Sequence, residues 1–133
     1  MSLKNGDLAI SIFDLDLSDS KKEQLKKAKE ISDRNNITII SSNPCFEVWY
    51  LDHFGYTSKP FNNNIEMIAS LRKHIPDYQK NQCNFDKLYP LTDEAIRNCE
   101  KLDEHHRKIG SEDIFEFNNP RTDMYKIVKL IKE

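Results

Sequence analysis

The chain opens with a short apolar run, "LAISIF" at 8–13, rich in β-branched residues and closed by the polar turn "DLDLSDS". A run of that length and character predicts a buried strand. The following segment, "KKEQLKKAKEISDRNN" at 21–36, places Leu25, Ala28 and Ile31 at helical spacing among charges. That is the pattern of an amphipathic surface helix. "ITII" at 37–40 predicts a second buried strand. Strand, four-turn helix and strand in succession imply a βαβ unit with parallel pairing and a right-handed crossover.

The next stretch, "SSNPCFEVWYLDHF" at 41–54, is the most apolar in the chain. Asn43 is a favoured helix cap and Pro44 suits a first helical position, so a helix is expected over about 44–54. Phe46, Val48, Trp49, Tyr50, Leu51 and Phe54 surround it, which predicts a buried helix. "GYTSKPFNNN" at 55–64 reads as a loop. A helix follows over about 64–74 with Ile65, Ile68, Leu71 and Ile75 on one face. Residues 76–90 carry no clean period. Thr92 is expected to cap a helix running to about 108, with Ala95, Ile96, Cys99 and Leu102 inward. An extended segment is expected within 113–120, and Thr122 is expected to begin a C-terminal helix along Tyr125, Ile127, Val128 and Ile131. The fold class is therefore α/β, a βαβ core of parallel strands with additional C-terminal helices.

Composition narrows the functional classes. With 133 residues the length suits one domain, and 38% hydrophobic against 32% charged residues suits a modest core. The net charge of -2 gives no global positive field for nucleic acid or a membrane surface. Lys21, Lys22, Lys26, Lys27 and Lys29 cluster, but Glu23 and Glu30 interleave with them, which reads as a solvated helix face. No apolar run reaches the roughly 18 residues of a membrane span. Cys45, Cys83 and Cys99 are widely spaced and odd in number, which argues against a zinc site or disulfide framework and for a reducing cytoplasm. Residues 1–6 read as a cloning leader or frayed start, so the chain is expected to be a fragment lacking its amino-terminal part.

Candidate chemistry follows from position. In open parallel sheets, ligands sit beyond the carboxyl ends of the strands. Asp14 and Asp16 follow the first strand and Asn43 follows the second. A D-x-D pair in a strand presents both carboxylates on one side, and two carboxylates suit Mg²⁺ or Mn²⁺. The alternative is that both aspartates only cap the next helix. Asn43 and Glu47 are four apart and share a helix face. A carboxylate in so apolar a helix is costly to bury unpaired, so Glu47 faces either the strand-end cleft or solvent. His53 stands roughly 240° round the helix from Glu47, which suits a core or rim histidine. His105 and His106 are expected on an exposed helix.

"FDLD" after one strand, "SNPCFEVWYLDHF" after the next and "NPRTDMYKIVKLI" near the end resemble the RloB-like family, which includes the second component of the AbiL phage-abortive system. The resemblance covers 10–132, and the middle segment is long and specific. The resemblance implies a Toprim-like α/β domain encoded beside an ATPase partner, from a restriction-modification locus, active in antiviral defence by abortive infection. Related two-part systems imply a Mg²⁺-dependent nuclease (Mn²⁺ being the alternative metal) that cleaves DNA or RNA. By the same resemblance Asp14 and Asp16 are metal-binding and catalytic, and Asn43, Glu47 and His53 are catalytic candidates. Toprim sites usually add a glutamate in an E-G-x-x-E-like segment before the D-x-D. Nothing before Asp14 matches it, and Asp7 is no substitute, so the fragment itself is expected to be inactive. Two other readings are a non-catalytic regulatory subunit assembled on the ATPase through the central and C-terminal helices, and a module that binds a nucleotide without cleaving it.

Overall fold

The computed structural model describes residues 9–80, 82–110 and 118–132. Strand β1 (Ala9–Asp14) leads through a tight turn into helix α1 (Asp19–Asn35) and strand β2 (Ile37–Asn43). Helices α2 (Glu47–Asp52), α3 (Asn64–Leu71) and α4 (Phe85–Leu88) follow, then a 3₁₀ turn at Tyr89–Leu91 and helix α5 (Thr92–Lys108). Strand β3 (Arg121–Thr122) and helix α6 (Met124–Lys132) complete the described chain.

The parallel pairing of the βαβ unit is as predicted, with Ala9 opposite Ile37 and Asp14 opposite Ser42. Strand β1 is not the buried strand expected: among the described residues it is the edge of the sheet, and Ile10 and Ile12 are exposed. Ser18 caps α1 by accepting from the Lys21 amide at 3.3 Å, and Asn36 ends it in the left-handed conformation, φ 55°. Both are roles for which these side chains are favoured. The sheet order is β1-β2-β3, β3 adding antiparallel to β2 through Ser42–Thr122 and Asn43–Arg121. Two residues carry no alternation to read, so β3 is not visible in the sequence. Thr122 belongs to β3, and α6 starts at Met124, whose amide the Thr122 hydroxyl caps at 3.1 Å. The extended segment expected within 113–120 falls largely on 111–117, outside the described residues.

The helix expected from Pro44 starts later. Asn43 closes β2 rather than capping a helix, the Asn43–Pro44 peptide is cis, and α2 begins only at Glu47. Pro44 is held instead by its carbonyl, which accepts from the Asp16 amide at 2.7 Å. The helix is buried as expected: Val48, Trp49 and Leu51 are core, and Phe46, Tyr50 and Phe54 are half-buried. It packs against α3 and α5, and its residues join each cluster of the core. Cys45, Val48 and Leu51 meet Phe61 and Met67; Trp49 meets Ala95, Ile96, Cys99 and Tyr125; Tyr50 and Phe54 lie against Leu71, Ile75, Tyr78 and Leu88.

A polar network runs through this interior. Arg121, 1% exposed, pairs with Asp123 and lies 3.6 Å from Asp103, whose other oxygen accepts from the Tyr125 hydroxyl. Asp123 also accepts from the Ser41 amide and hydroxyl, both at 3.2 Å. Burial alone would raise Asp123, but Arg121 and Lys126 outweigh it and hold its carboxyl below the usual range. Asp103 is raised, because burial prevails there. His106 is buried, not exposed as expected, with Nε2 2.8 Å from the Pro120 carbonyl.

Removing one partner of a buried, hydrogen-bonded charge pair leaves the other charge uncompensated. Arg121→Met is therefore expected to destabilise the fold by roughly 3–5 kcal/mol in urea denaturation. Lys129→Ala, on the surface, is expected to change stability by less than about 0.5 kcal/mol.

Candidate functional site

The carboxyl ends of β1 and β2 lie side by side, and three acidic side chains gather there. Asp14 ends β1, and its Oδ1 accepts the Phe46 amide at 2.9 Å, so the turn leading into α2 fixes its orientation. The carboxyl of Asp14 is raised above the ordinary aspartate range, first by burial, then by the neighbouring charges of Glu47 and Asp16. Glu47 faces this cleft rather than solvent and is 4% exposed. Its Oε2 accepts the Tyr78 hydroxyl at 2.8 Å and lies 3.7 Å from the Lys80 ammonium, and the buried Cys45 thiol bonds to the same carboxylate, while its Oε1 is buried with no nitrogen or oxygen partner. Buried polar atoms are nearly always satisfied, so an orphaned carboxylate oxygen beside a second carboxyl requires an explanation.

Asp16 is placed differently from the D-x-D expectation. The strand ends at Asp14, and Asp16 and Leu17 take positive φ of 53° and 58°, so the period-two rule no longer applies. Asp16 stays within electrostatic reach of Asp14, but both its oxygens are engaged, by Lys21 at 2.6 Å and Asn64 at 2.9 Å. Burial would raise its carboxyl; those bonds overcome it and lower it. Lys21, read as part of a solvated face, is thus a member of the cluster. Two consecutive non-glycine residues in the left-handed region are costly, and such strain concentrates at functional sites.

Asn43 supports the turn rather than the cleft. Its Oδ1 accepts the Leu17 amide at 3.3 Å and its Nδ2 donates to the Asn118 carbonyl at 3.3 Å. His53 is not brought to the carboxylates. It is 3% exposed, with Nδ1 2.8 Å from the Trp49 carbonyl and Nε2 3.3 Å from the Thr92 hydroxyl, and burial lowers its pKa. Tyr78 and Lys80, which orient Glu47, come from the aperiodic stretch 76–90, where the sequence offered no pattern to single them out.

Among the described residues no group of three His, Cys, Asp or Glu side chains forms a metal cage. The orphaned Glu47 Oε1 and the raised Asp14 carboxyl nevertheless fit a hard divalent cation, which needs only one or two protein carboxylates and keeps several waters. Asp14 and Glu47 are the residues that could hold it, with Asp16 already neutralised by Lys21.

The chain belongs to the RloB-like protein family, whose model matches residues 2–131. The family is associated with restriction-modification loci and defence. No curated protein and no solved structure matches the chain. Among the described residues no helix is long and apolar enough to cross a membrane.

A carboxyl whose pKa is raised on folding binds its proton more tightly in the folded state, so its contribution favours folding at low pH and is lost as pH rises through the folded pKa. Asp14→Asn keeps the acceptor for the Phe46 amide and removes the charge. The variant is expected to melt above the wild type at pH 8, with the gain vanishing toward about pH 4, in scans followed by circular dichroism.

Proposed function

We propose that this chain is the cytoplasmic, Toprim-like nuclease subunit of a phage-defence system of the abortive-infection type. The intact subunit acts with an ATPase encoded alongside and cleaves the phosphodiester backbone of DNA or RNA with Mg²⁺ or Mn²⁺. The observation that carries the reading is the facing pair of Asp14 and Glu47 at the carboxyl ends of two parallel strands, with one Glu47 oxygen buried and unsatisfied. Parallel α/β sheets place their ligands at such strand ends.

Each residue has a role that its partners support. Asp14, fixed by the Phe46 amide, and Glu47, fixed by Tyr78, would hold the cation between them. A bound Mg²⁺ supplies Lewis-acid stabilisation of the charge that builds on the phosphate oxygens. Lys80, 57% exposed at its side chain and 3.7 Å from Glu47, is positioned to meet a phosphate oxygen entering from solvent. Lys21 neutralises Asp16, which limits the repulsion an incoming phosphate would meet from three adjacent carboxylates. With a net charge of -2, affinity for nucleic acid must come from such local cations, from stacking or from the ATPase.

The roles differ enough to be separated. With the ATPase partner and Mg²⁺ or Mn²⁺, Asp14→Asn and Glu47→Gln are each expected to lower cleavage of a mixed tRNA and plasmid pool by about a hundredfold or more. Asp16→Asn, whose carboxylate is held by Lys21 and Asn64, is expected to lose less. Phage protection that survives both Asp14→Asn and Glu47→Gln would instead assign the chain a regulatory, assembling role.

A further inference from the structure

Behind the carboxylates lies a cavity of about 470 Å³, within the range of small-molecule sites. Its walls include Phe46, Trp49, Tyr50, Phe85 and Tyr89, with His53 beside them. Two of these rings stand out from the surface. Phe85 and Tyr89 are each 61% exposed and lie stacked 5.1 Å apart, although large aromatics are normally the most buried part of a fold.

The cavity and the carboxylate cluster share a wall. The amide of Phe46 holds Asp14, while its ring borders the cavity and meets Tyr50 edge-on at 5.0 Å. Tyr50 in turn lies 6.0 Å from the ring of Tyr78, whose hydroxyl binds Glu47. One layer of aromatic rings therefore separates the aromatic cavity from the acidic pair and Lys80.

We propose that this cavity receives an unstacked base of a single-stranded nucleic acid, with Phe85 and Tyr89 as its stacking platform and the adjoining phosphate lying toward Asp14, Glu47 and Lys80. The proposal deepens the nuclease reading and rests on it for the placement of the phosphate. Stacking on aromatic rings binds any base, because every base has a π-face. A base held in a duplex cannot enter without leaving its stack, so the cavity selects single strands, loops and ends. Polar groups at its wall suit a base edge. The ring proton of neutral His53 is spent on the Trp49 carbonyl, which leaves Nε2 as an acceptor beside the Thr92 hydroxyl. The candidate histidine would thus contact a base rather than the reacting phosphate.

The only tryptophan of the chain lines the cavity, which supplies a direct probe. The 133-residue chain would be titrated without divalent cation, following Trp49 fluorescence. The probes are a single-stranded decanucleotide, the same strand made abasic throughout, and its duplex. The single strand is expected to quench Trp49, and the abasic strand and duplex to do so at least about tenfold more weakly. Phe85→Ala and Tyr89→Ala, being exposed, should leave the melting temperature in place and each weaken the single strand by roughly tenfold or more. Equal binding of the abasic strand, absence of quenching, or indifference to both substitutions would overturn the proposal. Self-association broken by Phe85→Ala with strand affinity unchanged would also overturn it, marking the face as an interface between copies. Because this assay needs no cleavage, base binding by a chain that cuts nothing defeats only the nuclease reading. Cleavage abolished by Asp14→Asn but untouched by Phe85→Ala and Tyr89→Ala defeats only the base site.

Discussion

The run Ser41–Glu47 crosses the interior carrying polar groups on nearly every residue, and buried polar groups must find partners. Those partners come from the whole chain. Ser41 is held by Asp123, Ser42 by Thr122 and by the Leu15 amide, and Asn43 by Leu17 and Asn118. The Pro44 carbonyl takes the Asp16 amide, the Phe46 amide takes Asp14, and Glu47 takes Tyr78. Satisfying this one segment draws together the turn after β1, the segment before α6 and the loop before α4. The acidic cluster is a product of that requirement, since each of its members is positioned by a bond to Ser41–Glu47 or from within it.

Against this background the cluster has an uneven character. Asp14 is oriented by the Phe46 amide and Glu47 by the Tyr78 hydroxyl with Lys80 3.7 Å away, whereas Asp16 is closed off by a closer cation and an amide. A raised carboxyl in a cleft, as at Asp14, is a recognised mark of functional positions. Arg121, Asp103 and Asp123 are a different arrangement: buried charges of opposite sign paired within the core, which suits holding β3 and α6 in place rather than chemistry.

What the sequence could reveal follows the physics of each element. β1, β2 and α1 were legible because their apolar character extends over several residues, and Glu47 was legible as anomalous because a carboxylate in an apolar helix has a known cost. The start of α2 was not, since Pro44 fits both a first helical turn and the end of a strand, and only the pairing of Asn43 with Arg121 decides it. The closing-off of Asp16 depends on a left-handed backbone that no aspartate announces, and on Lys21, which resembles its solvated neighbours in the sequence. His53 and Trp49 shared a helix with Glu47 in the sequence reading; the structure sends His53 toward α5 and the aromatic cavity.

The central claim is that Asp14 and Glu47, from different elements, form one cation-binding pair. Titration of Mn²⁺ into the isolated chain, followed by the loss of the free-ion signal in electron paramagnetic resonance, tests it most directly. One site displaced by Mg²⁺, lost in Glu47→Gln and retained in Asp16→Asn, is the expected result. Mn²⁺ binding that survives Glu47→Gln, or is lost only with Asp16, would contradict it.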